Sequence, residues 1–389
     1  MSSAFDRVPK PEQVAEWLPA RFVLLCEPRL ETLFALLNIE SASFLHPFDL
    51  GQGQSEHRTY RRLLELLGVQ VLDLREVLMC APIERLRDWA RQAVHIEGET
   101  ETQRERGTAL LESTLRVLDA GSLVDLLFLR PSISVAASAS GLRARFAVSP
   151  VHSAYYTRDP LITTARGCVV TRLADADRQP ENDLAAYALE VLGVKPVLRV
   201  QAPGTLEGGD FIPCGDFVLQ GQGLFTNADG VKQCLEARAY GFVEVAVVED
   251  PRCQIDEMHL DTYFAALDRD LALCCETRLS GAEEPVVHIY QPEGCPEDFR
   301  YVLTRSTLFS RYLEEKGIQV IPISKQEQLR YGTNGLLLAP RRWIGVAEAG
   351  EALVERLRAH GVEVHLVSYA ALGGGYGGLH CSSQVLVRG

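Results

Sequence analysis

One local pattern recurs along this chain and constrains its fold more than anything else. A helix-like stretch ends in glycine and runs directly into a short β-branched segment. It reads RRLLELLG-VQVLDL around Gly68, AAYALEVLG-VKPVLRV around Gly193 and EARAYG-FVEVAVV around Gly241. It reads RYLEEKG-IQVIPI around Gly317 and LVERLRAHG-VEVHLV around Gly361. Glycine suits these positions because a helix often ends in a left-handed residue, where a Cβ is costly. In the last unit Val362, Val364 and Leu366 fall on one strand face, with Glu363 and His365 on the other. Five such units predict a pseudo-repeated α/β architecture, although the pattern alone equally describes any α/β protein whose helices end in glycine. Their uneven spacing excludes a solenoid of fixed period.

The widest gap lies between the first two units. Residues from Leu74 to Ala139 lack strand alternation. Leu111, Leu115 and Leu118 stand at helical spacing with Glu112, Arg116 and Asp119 between them, and VDLLFL continues the apolar run. The expectation is a helical insertion over 74–139 within an α/β domain made from 1–73 and 140–389. No Pro/Ser-rich linker or low-complexity segment divides the rest.

Composition narrows the function. The 389 residues are 47% hydrophobic and 23% charged, enough for a large core and too apolar for wholesale disorder. A formal net charge of −13 argues against a nucleic-acid partner and is compatible with a small cationic substrate. The ten cysteines show no C-x-x-C pair, and only Cys274 and Cys275 are close, so they read as reduced thiols. MSSAFDRVPKPEQ has no apolar core of a signal peptide, and no apolar run approaches the ~18 residues of a membrane span. The expected location is the cytoplasm, away from any membrane.

Four constellations could carry chemistry. LGGGYGGLHCSSQVLV delivers His380 and Cys381 on a glycine-rich loop to the start of a strand, as an activated thiol nucleophile requires; a flexible tail with an incidental cysteine is the bland alternative. EMHLDTYF sets His259 and Asp261 two apart, on one face if the segment is a strand, which suits acid/base work beside a cation or a polar surface strand. A metal pair would need further ligands, and none follows at suggestive spacing. TLEGGDFIP places Glu207 and Asp210 around two glycines, where a sharp turn could aim both carboxylates at one pocket or simply form a β-turn. YYTRDP offers Arg158 and Asp159 before a proline, a pair that on its own reads as solvated. Carboxylates grip guanidinium well, since its planar fork of donors matches them bidentately.

Taken together, YTRDP at 156–160, LEGGD at 206–210, HLDTYF at 259–264 and GGYGGLHC at 374–381 resemble the motifs of the arginine deiminase family, within the guanidino-group-modifying (pentein) superfamily, in the family's order. Weaker similarity runs through RFVLLCEPRLE, EHRTYRRLLELLGVQVLDLREVL and NGLLLAPRRWIGV. The helical insertion also fits the family. The resemblance implies an α/β fold of five ββαβ-type units about a pseudo-fivefold axis, a pentein propeller with its active site at the centre. It implies Cys381 as nucleophile, His259 as general acid/base oriented by Glu207, and Asp159 with Asp261 gripping the guanidinium. Asp210, Arg178, Arg158, Tyr156, Phe225 and Tyr376 are the expected substrate-binding neighbours. It implies a small guanidino substrate, most simply L-arginine giving L-citrulline and ammonia through a thiouronium-like intermediate, with no cofactor or metal; a homo-oligomer stays open.

The chain departs from the family pattern where the substrate α-carboxylate would be held. Of two arginines usual there, Arg178 matches one, and Phe225 stands at the other. Ser153 replaces an asparagine usual before Y/F-T-R-D, and Tyr376 stands where some members carry arginine. Phenylalanine cannot partner a carboxylate, so a modified arginine, a peptidyl arginine or another guanidino compound is also compatible. Amidino transfer to an amine, double hydrolysis to ornithine, a catalytically inert guanidinium binder and a cysteine peptidase are the competing readings.

Overall fold

The computed structural model describes residues 8–389 except 41, 43, 99, 139, 140, 296 and 297. The expectation for MSSAFDR therefore lies outside the described residues. Each of the five glycine-punctuated units is a helix feeding a strand, and each glycine adopts positive φ: 88° at Gly68, 68° at Gly193, 76° at Gly241, 69° at Gly317 and 76° at Gly361. The left-handed turn that glycine alone adopts without penalty is thus used five times.

Each unit contributes to a separate small sheet. In every one a central strand pairs antiparallel with one neighbour and parallel with the strand that follows the helix. The second sheet holds Leu161–Thr164, Gly167–Val170 and Leu198–Arg199. The third holds Phe211–Cys214, Phe217–Gln222 and Glu244–Glu249, extended by the hairpin Val286–Cys295 and Asp298–Leu308. The fourth holds Phe264–Asp268, Leu271–Cys275 and Gln319–Ile323, and the fifth Leu336–Ala339, Arg342–Val346 and Glu363–Val367. The first is assembled from both ends of the chain: Ala20–Leu25 pairs parallel with Gln70–Asp73 and antiparallel with Gln384–Arg388. That last pairing fixes the strand that follows Cys381. Buried apolar side chains fill the space between sheets and helices, and Cys381 itself packs in the cluster with Val23, Leu25, Tyr155, Tyr156 and Val385.

Residues 74–129 are largely helical, with Leu74–Met79, Ile83–Ala93, Glu101–Leu115 and Ala120–Leu129. Three readings of this stretch need correction. The periodic leucines do not share one helix: it ends at Leu115, and Asp119 caps the next by accepting from the Ser122 N–H at 2.7 Å. His95–Gly98 is a strand, and so is Pro131–Ser138, where Ser-Ile-Ser-Val alternates and Pro131 occupies the first position, which proline tolerates. The second of these pairs antiparallel with Gly141–Val148, and the expected end of the insertion at 139/140 lies outside the described residues. His95–Gly98, Pro131–Ser138 and Gly141–Val148 form a three-stranded sheet of their own. At Glu363–Val367 the inward face also differs: Leu366 is 43% exposed, and Val367 turns in at 3%. All ten cysteines are free thiols. Among the described residues no helix is long and apolar enough to cross a membrane.

Candidate active site

The motif residues converge, though not always by the expected local structure. His259 and Asp261 lie on tight turns, not on a strand: 3-10 turns at Ile255–Glu257 and Leu260–Thr262 precede the strand at Phe264. His259 stands extended at the start of the second turn, and its carbonyl accepts from the Thr262 hydroxyl at 2.6 Å. Two cations anchor the approach: buried Arg278 reaches Glu257 at 2.5 Å and half-buried Lys325 reaches it at 2.6 Å.

Gly208–Asp210 forms another 3-10 turn. It directs Glu207 Oε2 to His259 Nε2 at 3.0 Å, while Glu207 Oε1 accepts from the Ala174 N–H at 2.9 Å. Asp210 Oδ1 accepts from the Leu260 N–H at 2.9 Å and so braces the turn carrying His259. A Cβ on Gly209 would lie 2.7 Å from His259 Nδ1, so only glycine allows this approach.

Arg158 and Asp159 are not a solvated pair. Both are buried and point to different partners. Asp159 meets Arg178 at 3.0 Å and lies 3.9 Å from His259 Nδ1. Arg158 turns away, to Glu16 at 3.9 Å and the His380 carbonyl at 3.4 Å, so its side chain is structural, contrary to its expected place among the substrate contacts. The Tyr156 hydroxyl is likewise taken, donating to the Leu372 carbonyl at 2.9 Å, and braces the glycine loop.

That loop does deliver Cys381. Asn334 pins it: its Oδ1 accepts from the N–H groups of Gly378 at 3.0 Å and Cys381 at 3.1 Å, and its carbonyl accepts from His380 N–H at 3.1 Å. The sulfur sits 3.7 Å from Asp261 Oδ2, which also accepts from His380 Nδ1 at 2.7 Å. Asn334, Glu16 and Glu181 were not singled out by sequence reasoning. Asn334 begins NGLLLAPRRWIGV, a segment that carried similarity but no role. Glu181 had a readable signal: it is three residues after Arg178, in the first turn of a helix opened by Pro180. Glu16 had none.

The electrostatics follow from burial and crowding. Burial opposes charge on His259, but the hydrogen bond to Glu207 and the nearby Asp210 and Asp159 carboxylates outweigh it and raise the imidazole to about 10. Burial pushes Asp210 up to about 6, and Glu181 up to about 7 although Arg178 opposes it. Burial also raises Asp159. The Cys381 thiol is held well above its ordinary value by burial and then by the Asp261 and Asp159 carboxylates. Carboxylates thus outnumber cations here, and Asp159 Oδ1, Asp261 Oδ1 and His259 Nδ1 are buried without a hydrogen-bond partner. A buried polar atom is normally paired. Two acceptors and one donor therefore remain for a ligand, and the surplus of negative charge favours a cationic hydrogen-bond donor.

Ligand-type atoms of Asp159, Glu207 and His259 lie within 4.8 Å of one another. A metal ion there would face Arg178, already 3.0 Å from Asp159, and would compete with the His259–Glu207 bond, so the trio suits an organic cation better.

At the rim, Arg178 is occupied, donating to Asp159 and, through Nε and Nη2, to Glu181 at 3.0 and 2.8 Å. Phe225 packs its ring 5.6 Å from that of His259. Tyr376, partly exposed, adopts a left-handed φ of 71° at the end of the Leu372–Gly375 turn.

Several solved structures share this fold. A dimethylarginine dimethylaminohydrolase of Pseudomonas aeruginosa bound to citrulline superposes with TM-score 0.56 at 18% identity, covering 94% of this chain and 99% of that one. An amidinotransferase of Microseira wollei gives 0.57 at 15%, covering 97% of each chain. The N-terminal domain of a cyanobacterial arginine dihydrolase gives 0.58 at 13%, covering 94% and 97%. The fold, a mixed α/β assembly of several small sheets, is the one these proteins share. Within it the chain belongs to the arginine deiminase family, whose sequence model matches residues 44–388. Arginine deiminases of Lactococcus lactis subsp. lactis and Bacillus cytotoxicus are 28% and 27% identical over 267 and 270 residues. Those alignments span 62% of this chain and 63% of each relative.

Proposed function

We propose that this protein hydrolyses a guanidinium group to a ureido group and ammonia, with L-arginine as the leading substrate. The observation that carries the reading is the pair of unpartnered carboxylate oxygens, Asp159 Oδ1 and Asp261 Oδ1, buried beside the Cys381 sulfur. A guanidinium offers N–H donors to both and brings the positive charge that the site lacks. The same charge offsets the two carboxylates that hold the thiol protonated, so substrate binding itself favours the thiolate.

The thiolate adds to the guanidinium carbon. His259, held as imidazolium and oriented by Glu207, gives its proton to one nitrogen, which leaves as ammonia while a thiouronium forms on Cys381. Neutral His259 then takes a proton from water as its oxygen adds to the same carbon. The C–S bond breaks and the thiolate returns; the added hydroxyl gives its remaining proton to solvent, where the released ammonia takes it up, and the neutral ureido product departs. His259 carries the proton to the leaving nitrogen and takes one from the attacking water, and Asp159 and Asp261 fix the carbon against sulfur. We take the five sheets to surround a pseudo-fivefold axis with Cys381 near it, and the extra lobe from Leu74 onward to be an insertion in that ring. The working compartment on this reading is the cytoplasm, where thiols stay reduced.

One observation favours a narrower substrate. Arg178 is neutralised by Asp159 and Glu181, and Phe225 presents an apolar ring beside His259, so a free α-carboxylate finds poor reception. A guanidine with a masked or absent carboxylate fits this rim. The test is incubation with L-arginine, agmatine, an N-acetylated arginine and an arginine peptide, counting ammonia and ureido product, with Cys381→Ala as control. Equimolar citrulline and ammonia from arginine establishes the leading substrate. Turnover restricted to the other compounds establishes the narrower one. No turnover of any guanidine by folded protein overturns the reading in favour of amidino transfer or binding alone.

A further inference from the structure

His380 directly precedes the nucleophile and takes no part in the chemistry above, yet it is 6% exposed and held between two carboxylates. Its Nδ1 lies 2.7 Å from Asp261 Oδ2, and its Nε2 lies 3.7 Å from Glu16 Oε1. An ionised carboxylate only accepts, so Nδ1 carries the hydrogen. Asp261 Oδ2 is also the oxygen 3.7 Å from the Cys381 sulfur, whereas Oδ1 has no partner. The imidazole therefore engages the half of Asp261 that faces the thiol and leaves the other half free.

Glu16 stands behind the ring and is itself neutralised. It meets Arg388 at 2.6 Å and Arg158 at 3.9 Å, and accepts from Gln13 at 2.8 Å. The N-terminal segment and the last strand thus form a buried wall against which the imidazole rests. The backbone of Gly378–Cys381 is held separately, by Asn334, so the imidazole is not what keeps the loop in place.

We propose that His380 is a positioning residue for nucleophile formation: its Nδ1–H bond to Asp261 Oδ2 turns Oδ1 toward the guanidinium and screens the negative charge that faces the Cys381 sulfur. A charge-assisted hydrogen bond on that oxygen draws density from it, and a thiolate 3.7 Å away is correspondingly less disfavoured. The first half of this proposal rests on the guanidine-hydrolase reading; the second concerns the thiol alone and can be measured without substrate.

The test compares His380→Asn, whose amide nitrogen falls near Nδ1, with His380→Gln, whose amide reaches the Nε2 position, and with His380→Phe. In full-length protein, site-resolved mass spectrometry follows Cys381 alkylation by iodoacetamide against pH, which separates it from exposed Cys80, Cys253 and Cys295. The alkylation midpoint is expected to rise by about one pH unit in the Gln and Phe variants and to stay near wild type in the Asn variant. With a guanidine substrate, Gln and Phe should raise KM and lower kcat/KM by about 10- to 100-fold, with Asn restoring most of it. Unchanged midpoints in folded Gln and Phe variants overturn the proposal, as does an Asn variant displaced as far as Gln. If the Phe variant fails to fold, the contrast between Asn and Gln decides. If wild type turns over no guanidine, the function reading falls, and the alkylation midpoints still decide the role of His380.

Discussion

At the candidate centre, Cys381, His259, Glu207, Asp159 and Asp261 are each no more than 4% exposed, with Cys381 hydrogen-bonded to Asp261, His259 to Glu207 and Asp159 to Arg178. At the rim beside them, Phe225 and Tyr376 are partly exposed, and Arg178, 14% exposed, is committed to two carboxylates. The centre holds the residues that the motif resemblance leads one to expect, and the rim departs from it at Phe225 and Tyr376. The two regions answer to different physics. On the proposed chemistry the centre must present a thiol, an acid and two carboxylates at fixed separations around one carbon, which tolerates little change. The rim need only complement the rest of the substrate, and a single side chain there redirects specificity without touching the chemistry.

The largest expected effect lies in the centre. Cys381→Ala should abolish turnover, by about a million-fold in kcat, while leaving the melting temperature within a few degrees of wild type. Ammonia release and the absence of a covalent adduct by mass spectrometry check it. Glu207→Gln comes next, with an expected loss of about 100- to 10,000-fold. Its informative readout is pH. The folded value of His259, about 10, lies above the ordinary 6.5, so the fold favours the imidazolium. That contribution to stability is full below about 6.5 and is lost as pH rises through 10. Activity that needs the imidazolium should therefore decline near pH 10, and Glu207→Gln should move that limb downward by removing the hydrogen bond that raises it. An unmoved limb would assign the proton to another group. Asp210, raised to about 6, predicts an acid limb if it must be ionised to brace the His259 turn.

How far these regions were legible from sequence differs in the same way. Cys381, His259, Glu207 and Asp261 stand in short motifs because each needs a particular backbone turn as well as a side chain, and glycines mark those turns. The five αβ units were legible because a left-handed helix end leaves a glycine behind. Local pattern misled where tertiary contacts decide. Arg158 and Asp159 read as a solvated pair, yet Glu16 and Arg178, both distant in sequence, draw them apart into the core. H-x-D read as a strand, yet Glu257 with Arg278 and Asp210 with Leu260 N–H fold it into successive 3-10 turns. Asn334 and Glu16 were illegible because their work is to satisfy groups contributed by another part of the chain. Pro131–Ser138 was misjudged because a leucine-rich helix preceded it and the Ser-Ile-Ser-Val alternation was absorbed into the helical stretch.

The rim supplies a smaller effect that sharpens the comparison. Phe225→Arg would place a cation beside the site where the ring now packs at 5.6 Å from His259. If a missing carboxylate partner sets specificity, the variant should improve kcat/KM for L-arginine relative to agmatine by about 10- to 100-fold, the worth of one charge-assisted contact. The gain should appear mostly in KM, because the contact is made equally in ground and transition states. A loss for both substrates alike would mean that Phe225 serves to shield His259, and that the rim is part of the centre after all.

The smallest effect concerns the scaffold that serves both regions. Gly193 has φ of 68°, and a Cβ added to it would meet nothing within 4 Å. Substitution by alanine there is a test of backbone conformation alone. It should cost about 1–2 kcal/mol in unfolding free energy, measured by denaturant titration, since the left-handed turn is retained at a penalty. Activity should be unchanged, because the strand that follows Gly193, Leu198–Arg199, pairs with Gly167–Val170 and does not carry Asp159. A fall in activity with stability preserved would show that the αβ units transmit their geometry to the centre more tightly than separate sheets suggest, and the division between scaffold and site would have to be redrawn at the second unit.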